Sequence, residues 1–150
     1  MRLGKAEEPI VHQIESEFQL GKAITIRSGH NATLIYTGVM LELSVKVSEY
    51  LKEQDFSLQV ISMPTVSPCY QNAIIKSART TKKIITIEEH GIGGLGNIVA
   101  EILAEIDEPV KFIPLRLPSV PVKTAGSQNY WREKNQLSVD SLKKFIISCK

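Results

Sequence analysis

Glu88-Glu89-His90, followed at once by Gly91-Ile92-Gly93-Gly94-Leu95-Gly96, is the stretch of this sequence whose residue types and spacing could do chemistry. Residues 91–96 satisfy the G-x-G-x-x-G pattern. Where such a run follows a strand and opens a helix, its glycines let the backbone approach a pyrophosphate. The pyrophosphate lies on the helix N-terminus, where unpaired N–H groups and the positive dipole end favour an anion. Arg116, about twenty residues past Gly96, stands where the partner of a dinucleotide phosphate is expected. Against this, the run follows a late strand rather than the first βαβ unit. Glu88, Glu89 and His90 also stand between that strand and the first glycine, and two carboxylates there would repel a pyrophosphate. The alternative is that the glycines serve a tight strand-to-helix turn and close packing of helix on sheet.

The acid pair has the composition of a general acid and base, but neighbours at a strand end point to opposite faces, so at most one can line a crevice. No nucleophile and no metal partner can be assigned to it, so no catalytic residue and no metal site are expected. A small anion or regulatory ligand is the functional expectation for Glu89, His90, Gly91, Gly93, Gly94 and Gly96. The structural alternative has a carboxylate capping the turn and His90 hydrogen-bonded at an interface. Cys69 lies near a helix start, where a thiolate is favoured, yet no His or Asn constellation accompanies it, which points to a small buried residue. Tyr130-Trp131-Arg132 is an aromatic-basic cluster of the kind that anchors an interface, which makes Tyr130 and Trp131 interface candidates.

These residues need elements to position them. Alternation at Ala23–Ile26 predicts a short edge strand, and Ala32–Thr37 a second strand bounded by Gly38. Met40, Leu43, Val47, Tyr50 and Leu51 at helical spacing predict a helix over 39–53. A strand over 57–61, a helix over about 70–79 and a strand over 83–87 follow, with Pro64 and Pro68 punctuating the turn between the first two. Leu95, Ile98, Val99, Ile102, Leu103 and Ile106 form an apolar stripe that predicts a helix directly behind the glycines. Val110–Leu115 is a further strand. Residues 116–136 read as a long polar arm or lid packed on another surface. A last helix over about 139–147 is capped by Ser138. The fold class is therefore α/β, a three-layer domain with a mostly parallel five-stranded sheet, helices on both faces and the first strand at an edge.

Composition limits what such a domain does. The chain has 150 residues, 43% of them hydrophobic, and a formal net charge of +2 with both signs interspersed. At that size roughly 68–70% of the unfolded surface is buried, enough for a core that needs no disulfide or structural metal. The charge balance and the short pairs Lys82-Lys83 and Lys143-Lys144 give no nucleic-acid footprint. No window of continuous apolar residues is long enough for a membrane span. Cys69 and Cys149, in no CxxC pairing and with no His at ligand spacing, suggest neither a disulfide framework nor a zinc site, and a cytoplasmic setting is expected.

The succession Asn31–Gly38, Val60–Pro68, Ile84–His90 and Gly93–Gly96 resembles the C-terminal domain of the transketolase family. That family of thiamine-diphosphate-dependent enzymes includes transketolase, 1-deoxy-D-xylulose-5-phosphate synthase and the beta subunits of 2-oxoacid dehydrogenases. The resemblance covers residues 30–142, and Arg2-Leu3-Gly4 is similar to the tail of a preceding pyrimidine-binding domain. It implies that 1–29 are a linker from that domain plus the edge strand, and that 30–150 are the C-terminal-like domain. It also implies a parent enzyme that uses thiamine diphosphate and Mg for ketol or two-carbon transfer on sugar phosphates. This chain carries neither the metal-binding Gly-Asp-Gly run nor the pyrimidine domain's glutamate region, so no cofactor is expected in it. Alone it is expected to be inactive, an excised fragment or the product of a split gene. Its expected partners are the remaining domains or subunit of the parent, in a homodimer. His90 after the acid pair favours the transketolase-like branch, while 117–123 lack the acidic-aromatic pattern usual there and leave the substrate subclass open. The rival expectation is a free-standing nucleotide-binding module built on Gly91–Gly96.

Overall fold

The computed structural model describes residues 18–121 and 124–148. Arg2-Leu3-Gly4 and Cys149 lie outside them. Five strands form one sheet in the order β1-β3-β2-β4-β5. They are β1 (Ile24–Arg27), β2 (Ala32–Tyr36), β3 (Leu58–Ser62), β4 (Lys83–Ile87) and β5 (Lys111–Leu115). β1 runs antiparallel to β3 at one edge, and the other pairings are parallel. The mostly parallel sheet with β1 at its edge is thus the architecture expected from the alternation of strand and helix patterns.

Helices α1 (Leu41–Lys52), α2 (Gln71–Thr81) and α3 (Leu95–Ala104) connect the parallel strands, and α4 (Gln128–Lys134) and α5 (Val139–Ser148) follow β5. Successive side chains of a strand point to opposite faces, and β2 shows it plainly. Leu34 and Tyr36 pack with Met40, Val47 and Leu51 of the α1 side and with Leu142 and Ile146 of α5. Ile35 packs on the other face with Ile74 and Ala78 of α2 and with Leu95 and Val99 of α3. β2 is buried along its whole length because both faces are covered.

β2 leads through α1 to β3 on one side, whereas β3 leads through α2 back across to β4 on the other. The order of connection therefore reverses between β2 and β4. At such a switch point the carboxyl ends of two neighbouring strands diverge into opposite crossovers and open a crevice, the usual ligand position in open α/β sheets. The residues that follow β4 there are Glu88, Glu89 and His90.

The long polar arm contains one element that its sequence did not announce. Its middle forms α4, whose N-cap Ser127 accepts a hydrogen bond from Tyr130 N at 3.2 Å. None of its residues is fully buried, so it has no apolar stripe to announce it. The predicted cap of the last helix is present, with Ser138 Oγ accepting from Ser141 N.

Candidate functional site

The β4–β5 pairing continues past both strands. Glu88 N donates to Leu115 O at 3.2 Å and Leu117 N donates to His90 O at 2.9 Å. The acid pair is thus held in extended backbone, and its two side chains leave on opposite faces as strand geometry requires. Glu88 turns toward α3 and is 1% exposed. Its Oε2 accepts from Leu95 N and its Oε1 from Gly96 N, each at 2.8 Å. A carboxylate on the first turn of a helix satisfies two orphan donors and complements the dipole. Glu89 turns the other way, to α4, where its carboxylate accepts from Arg132 Nε at 2.5 Å and from Gln128 Nε2 at 2.9 and 3.0 Å. His90 Nδ1 stands 3.9 Å from Glu88 Oε2.

The glycines make this arrangement possible for different reasons. Gly93 has a φ of +98°, a conformation that side chains oppose. Gly94 is extended, but a Cβ there would land on the Glu88 carboxylate. At Gly96 a Cβ would meet Pro114 Cβ and Thr86 Oγ1 at 3.2 Å, so a small residue lets α3 lie close on the sheet. The tight turn and close helix packing are both present.

Four of the loop's backbone donors are engaged within the chain. Ile92 N donates to Ser119 Oγ at 2.9 Å and Gly93 N to Asn97 Oδ1 at 2.9 Å, while Leu95 and Gly96 serve Glu88. A pyrophosphate would have to displace a buried carboxylate from these last two donors, against its charge. Arg116 Nη1 donates at 2.7 Å to Asn97 Oδ1, which also accepts from Gly93 N, so this guanidinium is tied to the first turn of α3. A magnesium diphosphate finds no suited donor set here either. One acid is enclosed on backbone N–H groups and the other is bonded to a guanidinium, and among the described residues no group of three or more His, Cys, Asp or Glu is placed to hold a metal. The described residues at this switch point offer a magnesium diphosphate no such donor set.

The remaining sequence candidates lie apart from this cluster. Burial is the main influence on the Cys69 thiol and pushes its pKa up, which disfavours the thiolate. Tyr130 is 46% exposed on α4. Its ring meets Trp131 edge to face at 5.4 Å, with Lys134 Nζ 4.9 Å from the Trp131 ring centre. A cavity of about 940 Å³ lies between α4 and the segment after β5, lined by Glu89, Leu117, Pro118, Val120, Trp131 and Arg132 among others. Asn97, Ser119, Gln128 and Arg132 were not anticipated as partners of the loop and the acid pair. Only Asn97 had a local signal, an amide four residues after Gly93 and thus able to fold back on it. No helix of the described residues is long and apolar enough to cross a membrane.

A doubly wound, three-layer α/β domain that turns its switch-point acids onto its own helices is the class these features define. The model of the transketolase C-terminal domain matches residues 21–129, and the chain belongs to that family. An apulose-4-phosphate transketolase subunit from Actinobacillus succinogenes is 28% identical over 149 residues, covering 99% of this chain and 48% of the relative. The subunit of the same name from Phocaeicola vulgatus is 38% identical over 115 residues, 75% of this chain and 37% of its own length. A solved split-gene transketolase, described as an inactive beta4 tetramer, superposes with a TM-score of 0.83 at 25% identity over 97% of this chain and 46% of that one. The chain thus spans about half or less of these relatives.

Proposed function

We propose that this chain is the non-catalytic C-terminal part of a thiamine-diphosphate-dependent, transketolase-type transferase acting on sugar phosphates in the cytoplasm. Its work is assembly, as a homodimer and with the domains or subunit that hold the cofactor. The observation that carries this reading is the disposition of Glu88 and Glu89. The two acids at the ligand position of the sheet brace α3 and α4, so the crevice is built as scaffold. Tyr130 and Trp131, presented on the exposed helix that Glu89 holds, are the proposed interface anchors. The relatives named as transketolase subunits support a partner that supplies the rest of the enzyme.

Calorimetric titration of the chain with thiamine diphosphate and Mg tests the first half, with no saturable heat expected. Micromolar binding by the chain alone would sink it. Light scattering tests the second half. A mass twice that of the chain is expected, falling toward the monomer in Tyr130→Ala/Trp131→Ala, and a wild-type monomer at all concentrations would remove the homodimer.

A further inference from the structure

We propose that the cleft between the segment after β5 and the C-terminal end of α4 binds a compact tetrahedral oxyanion, inorganic phosphate or the phosphate end of a small monoester. The cleft has a volume of about 420 Å³, Arg116 and Lys134 both line it, and none of its wall residues carries a carboxylate. Neither cation forms an ion pair among the described residues. Two like charges facing one small cavity without a counter-charge repel each other, and a doubly charged oxyanion reverses the sign of that energy.

Both cations are also held in place without being neutralised. Arg116 is fixed through Nη1 on Asn97 Oδ1, which is itself fixed by Gly93 N, and a guanidinium keeps further N–H donors beyond that one bond. Lys134 Nζ rests 4.9 Å from the Trp131 ring centre and 3.5 Å from Tyr130 Oη. Ser119, also in the wall, accepts from Ile92 N and so keeps its hydroxyl proton to donate. The backbone bond from Leu117 N to His90 O ties this wall to β4. Two other cavities differ in having carboxylates beside their cations, Arg132 and Lys134 in one and Lys46 and Arg132 in the other. The one of about 940 Å³ has Glu89 in its wall, and the one of about 270 Å³ has Glu42 and Glu133. The site is distinct from the helix N-terminus, which Glu88 already occupies, and the proposal does not depend on the parent enzyme.

The test is calorimetric titration of the full chain with inorganic phosphate, methyl phosphate and acetate at constant ionic strength. Saturable binding of phosphate or methyl phosphate is expected, with acetate much weaker, and the tighter of the first two tells a free ion from a monoester. Arg116→Gln and Lys134→Gln should each weaken binding about tenfold or more. Arg79→Gln should leave it unchanged, since its ion pair with Glu108 involves neither cleft cation. Lys134 has only aromatic neighbours to lose, so its variant reports on binding even if Arg116→Gln loosens the loop. Absence of saturable phosphate binding by the wild type, equal binding of acetate, or affinity unchanged in Lys134→Gln overturns the proposal.

Discussion

Replacing Glu88 with Gln tests whether the sheet's ligand position has become a brace. The side chain is 1% exposed and accepts two backbone hydrogen bonds of 2.8 Å from the first turn of α3. Gln keeps the shape, but it can offer only one oxygen and sets an amide N–H₂ against the other donor. A bond to a charged group is worth about 1.5–3 kcal/mol, and a buried donor left without an acceptor costs about 1–3 kcal/mol. The lost charge at the helix N-terminus adds about 0.3–1 kcal/mol, while relief of carboxylate desolvation offsets part of the sum. The expected loss is about 3 kcal/mol, or about 6–12 °C in Tm for a chain of this size. Urea unfolding followed by circular dichroism at fixed protein concentration should show a lower midpoint with unchanged slope. Amide exchange of Leu95 and Gly96 should accelerate more than that of Ile102 in the same helix. A loss below about 1 kcal/mol, or uniform exchange across α3, would refute the bracing argument.

Three further outcomes follow from the same geometry. Gly94→Ala should destabilise the chain by about 2–3 kcal/mol in the same urea assay, because the added methyl falls on the Glu88 carboxylate and dislodges it. Thr86→Val should stabilise it by about 1 kcal/mol, since Thr86 Oγ1 is buried without a hydrogen-bond partner among the described residues and Val keeps the shape. Cys69, with its thiol pKa raised by burial, holds less thiolate at neutral pH than a free cysteine. In a Cys149→Ser background its alkylation by iodoacetamide should therefore be slower than that of a model thiol at pH 7, with the rate still climbing at pH values where the model has levelled off.

Elements with a periodic apolar face were legible in the sequence because the face that packs is the face that repeats. The stripe over Leu95–Ile106 and the run Ala32–Thr37 are of this kind, and both lie where the pattern put them. α3 itself stops at Ala104, two residues short of the stripe, and Ile106 still packs on the same cluster from the turn that follows. α4 has no such face. It is tied to Glu89 by Arg132 and Gln128, 43 and 39 positions away, and contacts of that range leave no periodic trace. The same holds for the site. The opposite orientation of Glu88 and Glu89 follows from strand geometry alone, whereas the identity of their partners depends on which helices the topology brings alongside.

The glycine run shows how a fingerprint can serve an internal anion. G-x-G-x-x-G specifies a backbone that turns tightly, frees N–H groups at a helix start and packs that helix closely on the sheet, and all three conditions are also what a buried carboxylate cap requires. The pattern therefore reports the need for an anion at the helix N-terminus, without saying whose anion it is. Glu88, the residue after β4 on the α3 face, supplies it from within. Arg116, bonded to Asn97 in the first turn of α3, lines the outer cleft together with Lys134. On this argument, Glu88→Gln and Lys134→Gln act on separate anion positions. The first should lower stability and leave phosphate affinity in the folded chain, and the second should do the reverse.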